Sequence, residues 1–142
     1  MENNGDINGI YNGKLDEKQH YEAKELAVEI IKVLDAKKAG DIKLLNIHGQ
    51  SVIADYFVIC GAQSTTQLKA LADETEFKLK QKGVVPANVE GREGGWILID
   101  YSSVIVHIFT RDAREFYKLE KLWADSVNVD ISEYLMDGPN MG

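Results

Sequence analysis

The chain has 142 residues, of which 44% are hydrophobic and 27% charged, with a formal charge of −7 and a single cysteine. This is the mix of one ordinary soluble domain with a real hydrophobic core. It excludes an internal disulfide framework and a cysteine-based zinc site, fits a reducing compartment such as the cytoplasm, and leaves no apolar run near the roughly eighteen residues of a membrane span.

The charge is unevenly placed. Residues 1–20 carry −2 and residues 124–142 carry −4, which leaves residues 21–123 nearly neutral at −1. An acidic protein is repelled by nucleic acid at long range, but a nearly neutral domain only weakly so. No stripe of Lys and Arg interleaved with aromatics argues for nucleic-acid binding, and little direct contact of that kind is expected.

In chain order, residues 1–20 are rich in Asn and Gly without an apolar period, the composition of a flexible leader. From Tyr21 to Lys38, Ala23, Leu26, Ala27, Ile30, Ile31 and Leu34 recur at threes and fours, which predicts an amphipathic helix ended by Gly40. Two strands follow, near 42–47 and 52–60. The turn "HGQS" that joins them is short enough to make them antiparallel. "STTQLKALADETEFKLKQKG" then reads as a second helix with a Ser/Thr cap, apolar residues Leu68, Leu71, Ala72, Phe77 and Leu79, and Lys and Gly at its end. A short strand at 85–90 leads into the glycine-punctuated turn "EGREGG". Strands 96–100 and 104–109 fold about "DYSS". A third helix is expected over 111–125, where Phe116, Leu119 and Trp123 are suitably spaced. Residues 126–142 are acidic, lack a lasting pattern, and are expected to be mobile or to dock on a partner.

The predicted order is α-β-β-α-β-β-β-α, an α/β (α+β) domain over residues 21–125 with a mixed five-stranded sheet flanked by helices. Such an order raises a nucleotidyltransferase reading, in which a Gly-Ser turn follows one strand and a carboxylate pair at i, i+2 on the next holds divalent metal. "CGAQST" could be that turn. No such carboxylate pair follows on a strand, and Asp73, Glu74 and Glu76 fall on a helix where a solvated face explains them. His20, His48 and His107 show no metal-ligand spacing, Cys60 reads as a core residue, and "GREGG" lacks the Lys and Ser/Thr of a phosphate loop. No cofactor is implied.

The most apolar stretch, "GGWILIDYSSVIVHIF", carries Trp96, Asp100 and His107. Strand alternation puts Trp96, Leu98 and Asp100 on one face and Ile97 and Ile99 on the other. If the isoleucines face the helices, Trp96 and Asp100 lie outward as an aromatic anchor beside an acid, a composition suited to a basic protein partner. His107 reads as a partly buried strand histidine or as an interface residue.

Three blocks in register, "ADYFVICGAQSTTQLKALAD", "VEGREGGWILIDYSSVIVHIF" and "REFYKLEKLW", resemble the ribosomal silencing factor (Iojap-like) family over about residues 21–123. The resemblance implies a nucleotidyltransferase-like domain without the catalytic acids and a non-enzymatic factor. Such a factor binds the large ribosomal subunit at its inter-subunit face, chiefly on large-subunit ribosomal protein fourteen, and blocks joining of the small subunit when nutrients are scarce. Glu90 and Gly91 match the family's V-E-G turn, Trp96 its strand tryptophan, Asp100 the acid closing that strand and His107 its V-I-V-H histidine. Tyr117, Glu120 and Trp123 match the final helix. Ser102 and Ser103 stand where the family often has Gly-Asp. The candidate partner-binding residues are Glu90, Trp96, Asp100, Tyr101, Tyr117 and Glu120. A nucleotide-binding enzyme and a self-associating scaffold, homodimeric when free, are the competing classes.

Overall fold

The computed structural model describes residues 22–92, 94–118, 121 and 126–136. The leader 1–20, Glu120, Trp123 and residues 137–142 lie outside the described residues.

The first helix, α1, spans 22–36 and buries Ala23, Ala27, Ile30, Ile31 and Leu34, the stripe its period foretold. It ends four positions before the glycine expected to stop it. Lys38 adopts the left-handed conformation at φ 68° while its amide and that of Ala39 bond back to Asp35 and Leu34. Gly40 instead opens β1 (Gly40–Asn46), which pairs antiparallel with β2 (Tyr56–Ala62). The second strand therefore begins four residues later than its apolar run suggested. Val52 and Ile53 are exposed on the connecting loop, which is closed by the Ile47 amide donating to the Asp55 carbonyl at 2.8 Å.

Helix α2 (Thr65–Gln81) has Ser64 as its cap, the hydroxyl accepting from the Gln67 amide, and buries Leu68, Leu71, Ala72, Thr75 and Leu79. Phe77, expected on the apolar face, is 55% exposed. Thr75 holds the buried place instead, its hydroxyl satisfied by donating to the Leu71 carbonyl at 2.8 Å. Strands β3 (Asn88–Glu90), β4 (Trp96–Asp100) and β5 (Val104–Thr110) form a meander, and β5 then runs parallel to β2, so that α2 is part of a crossover connection.

Helix α3 is broken where a continuous helix was expected. It spans Arg111–Tyr117 and is interrupted by Lys118 in the left-handed conformation, φ 49°; Lys121 is again helical, and residues 119–120 and 122–125 of the helix expected over 111–125 lie outside the described residues. The sheet is larger than expected. Val127–Val129 forms β6, antiparallel to β1, which corrects the five-stranded sheet to six strands in the order β3-β4-β5-β2-β1-β6. A 3-10 turn, Ser132–Tyr134, follows, and the Met136 amide donates to the Asp35 carboxylate at 2.7 Å, tying this segment to the end of α1.

The sheet divides the apolar interior in two. On the helix side, Leu44, Tyr56, Val58, Cys60, Ile97, Ile99, Val106 and Ile108 pack with the buried faces of α1 and α2. On the other side, Leu45, Phe57, Ile59, Ile105 and Phe109 form a second buried cluster, against which Trp96, Leu98 and Ala113 pack. No helix among the described residues is long and apolar enough to cross a membrane.

Candidate functional site

The second face is organised by cross-strand register, because paired residues point to the same side. One row runs Glu90, Leu98, His107, Ile59 across β3, β4, β5 and β2. The row on one side of it pairs Trp96 with Phe109. The row on the other side runs Asn88, Asp100, Ile105, Phe57 and Leu45. The alternation expected for residues 96–100 is therefore realised: Ile97 and Ile99 face the helices, and Trp96, Leu98 and Asp100 share the opposite side with Glu90.

Trp96 is half-buried. Its ring stacks on Phe109 at a centroid distance of 4.9 Å and 29° between planes, and its indole Nε1 donates to His107 Nδ1 at 3.1 Å. The imidazole stands edge-on to Phe57 at 4.7 Å. An indole nitrogen can only donate, so His107 must be neutral with its proton on Nε2. That Nε2 is buried and has no acceptor among the described residues. Burial without a compensating charge pushes the imidazole down to about 4. His107 is thus the buried strand histidine bonded to a neighbour.

The turn before Trp96 is fixed by backbone geometry and charge. Gly91 has φ 87°, and a Cβ there would lie 2.1 Å from the Trp96 carbonyl oxygen. Arg92 reaches from this turn to α2, pairing with Asp73 at 2.9 Å and with Glu76. Two of the helix acids that could have suggested a metal site therefore clamp the turn, and the neighbouring guanidinium makes cation binding there unfavourable. Among the described residues no three His, Cys, Asp or Glu side chains gather as a metal site would require.

The candidate residues are not all equivalent. Asp100 accepts from the Ser102 amide at 2.7 Å, an Asx turn that holds Ser102 at φ 73°. The carboxylate expected to meet a partner therefore also stabilises the hairpin tip. Glu90 is exposed and accepts from the Asn88 side-chain amide. Tyr101 is 6% exposed and belongs to the helix-side core, facing away from Trp96. Burial, with a smaller contribution from Glu76, pushes its phenol up to about 12. Tyr117 closes α3, and Glu120 lies outside the described residues. Phe57 and Phe109, which form the floor beneath Trp96 and His107, were not singled out in the sequence. Their parity in β2 and β5 was the available signal, but it acquires meaning only once the two strands are known to be parallel neighbours.

The turn "CGAQST" is closed by its own side chains. The Gln63 amide donates to Gln67 Oε1 at 2.6 Å, and the Gln67 amide to Ser64 Oγ at 3.1 Å. Those amides are occupied where a phosphate loop would leave them open. In the crevice beside it Arg114 is held by Asp41 and Lys118 by Glu115. Cys60 is buried in the helix-side core with its thiol pushed up to about 12, which leaves it unreactive.

Comparison with known proteins agrees with this geometry. Residues 20–140 match the family model described as ribosomal silencing factor during starvation (RsfS). The chain is 39% identical over 109 residues to the ribosomal silencing factor RsfS of Halalkalibacterium halodurans, covering 76% of this chain and 93% of that one. It is 41% identical over 98 residues to the Bacillus subtilis RsfS, covering 68% and 83% respectively. A crystal structure of a Chromobacterium violaceum protein superposes with a TM-score of 0.66 at 33% identity, covering 73% of this chain and 85% of that one. With the matched segment spanning every described element, the chain belongs to the RsfS family of ribosomal silencing factors.

Proposed function

We propose that the protein binds the large ribosomal subunit at its inter-subunit face, chiefly on large-subunit ribosomal protein fourteen, and represses translation by occupying the space the small subunit needs. The observation that carries this reading is the second sheet face, where Trp96 stands over an aromatic floor of Phe57 and Phe109 with Glu90 and Asp100 at its margin. Trp96 is the apolar anchor, and the two acids offer charge to a basic protein. Tyr117 and Glu120, which follow β5 in the chain, are partner-binding residues in this reading. Tyr101 supports it from behind through the hairpin core.

Inhibition needs no reaction and no cofactor, because a folded domain held between two closely apposed subunits excludes one of them by volume. The factor works in the cytoplasm with little direct nucleic-acid contact, and pairing of the free chain with a second copy is the competing use of the same apolar face. The helix-crossover-strand order with its Gly-Ser turn supports descent from a nucleotidyltransferase-like domain whose catalytic acids are missing. The division into a leader 1–20, a domain 21–125 and an acidic tail 126–142 belongs to the same proposal, amended by β6, which joins residues 127–129 to the sheet.

The test is co-sedimentation of the full chain with purified large subunits. Truncating a central aromatic anchor typically costs about 2 kcal/mol or more, roughly thirtyfold in affinity. Wild-type protein should pellet with the large subunit alone, and Trp96→Ala should require a correspondingly higher concentration. Equal binding by the two proteins would remove Trp96 from the interface.

A further inference from the structure

The contact between Trp96 and His107 is unusual for a core pair. A buried imidazole N–H with no acceptor is destabilising, since desolvation of a polar group is not repaid by a bond. Among the described residues Nε2 is in that position, at a residue 4% exposed. A leucine would fill the same apolar surroundings of Phe57, Phe109, Ile59 and Leu98 without an orphaned group. What leucine could not do is accept a hydrogen bond. The one described bond of the ring is at Nδ1, and it comes from the indole of the half-exposed tryptophan on the neighbouring strand.

We propose that His107 is a positioning residue: its Nδ1 fixes the orientation of the Trp96 indole on the outer sheet face, so that the anchor is pre-set before a partner arrives. This rests on the reading of Trp96 as a docking anchor and specifies how that anchor is held. The stacked Phe109 ring fixes the plane of the indole from below, and alone it would allow the ring to flip or slide, because stacking has little directionality. The hydrogen bond supplies the missing direction. Once Nδ1 is committed as the acceptor, the proton is forced onto Nε2, and the buried N–H is the consequence of that tautomer. A rigid aromatic anchor loses less conformational freedom on binding, so the contact acts on affinity through pre-organisation without itself touching the partner.

The experiment uses the full chain with 15N-labelled tryptophan, reading the Trp96 indole N–H resonance, assigned by its loss in Trp96→Phe, together with affinity for purified large ribosomal subunits. His107→Leu should speed exchange of the indole proton with solvent and weaken binding about fivefold, the scale of one net hydrogen bond. His107→Asn, whose Oδ1 can stand where Nδ1 stood, should recover part of both effects. Adding His107→Leu to Trp96→Phe should weaken binding little further than Trp96→Phe alone, because the same bond is already lost.

An unchanged indole resonance in His107→Leu overturns the proposal. So does unchanged affinity accompanied by lowered stability, which would make His107 a core residue only, and so does full additivity in the double variant. If His107→Leu does not fold, Trp96→Phe decides: wild-type affinity in that variant would show that the indole N–H is irrelevant. Failure of the docking reading is separate and appears as wild-type binding by Trp96→Ala. The indole resonance responds to His107 in either case.

Discussion

Acid should unfold this protein through His107 before its carboxylates matter. An imidazole in the unfolded chain takes up its proton near pH 6.5, whereas in the fold His107 resists until about 4 because burial penalises its charged form. Its ring faces Phe57, Phe109, Trp96, Leu98 and Ile59. Glu90 and Lys43 share its row two strands away on either side, and Asp100 lies opposite Ile105. Between the two values the unfolded chain binds more protons than the folded one, so lowering the pH drives unfolding. The contribution of neutral His107 is complete above the unfolded value, falls as pH drops toward the folded value, and levels off below it. At about 1.4 kcal/mol for each pH unit, the interval corresponds to a loss of about 3 kcal/mol. That is a large fraction of the roughly 5–15 kcal/mol that stabilises a typical domain. The assay is urea unfolding followed by circular dichroism at several pH values between about 7 and 4.5, with linear extrapolation and a common slope. Glu29, held below its ordinary value of 4.5 chiefly by its hydrogen bond from Lys82, contributes only at the acid end of that range. His107→Leu removes the titrating group and should flatten the profile above pH 4.5. If wild type and His107→Leu lose stability in parallel over that interval, the buried neutral imidazole is not the cause and the reasoning is wrong.

Three further outcomes follow from single positions. Gly91→Ala combines a left-handed φ with a Cβ 2.1 Å from the Trp96 carbonyl oxygen, so it should cost about 1–3 kcal/mol or more and shift the Trp96 fluorescence as the turn gives way. Ser102→Gly relieves a non-glycine residue at φ 73° and should stabilise by about 0.5–1 kcal/mol in urea unfolding, an effect absent if the tip adjusts freely. Native Cys60 should resist a thiol reagent at neutral pH and react only on unfolding, and rapid labelling of folded protein would contradict its burial.

What the sequence revealed and what it concealed divides along physical lines. Local periodicity placed α1, α2 and the hairpin, and alternation sorted Trp96, Leu98 and Asp100 from Ile97 and Ile99, because those signals depend only on where each side chain points. The same alternation would have sent Tyr101 inward with Ile99, where the structure has it, and its aromatic character obscured this. Strand β6 was illegible because three residues make no pattern of their own; Val127–Val129 is a strand only because β1 offers an edge some eighty positions earlier. The break in α3 depends on a left-handed Lys118, a conformation that lysine composition does not announce. Val52 and Ile53 extended an apolar run that the chain leaves in a loop. At the site, the Trp96–His107 bond needed the register of β4 against β5, since eleven residues separate the two in sequence.

Occupancy of the outer sheet face's partner is what prevents the ribosomal subunits from joining in the proposed mechanism. Light scattering of purified large and small subunits, with the full chain added to the large subunit beforehand, measures this most directly. Wild-type protein should lower both the rate and the extent of joining in proportion to the large subunits occupied. Trp96→Ala, folded by circular dichroism, should do so only at roughly thirtyfold higher concentration. Joining that proceeds unaltered on large subunits saturated with the wild-type chain would contradict this mechanism.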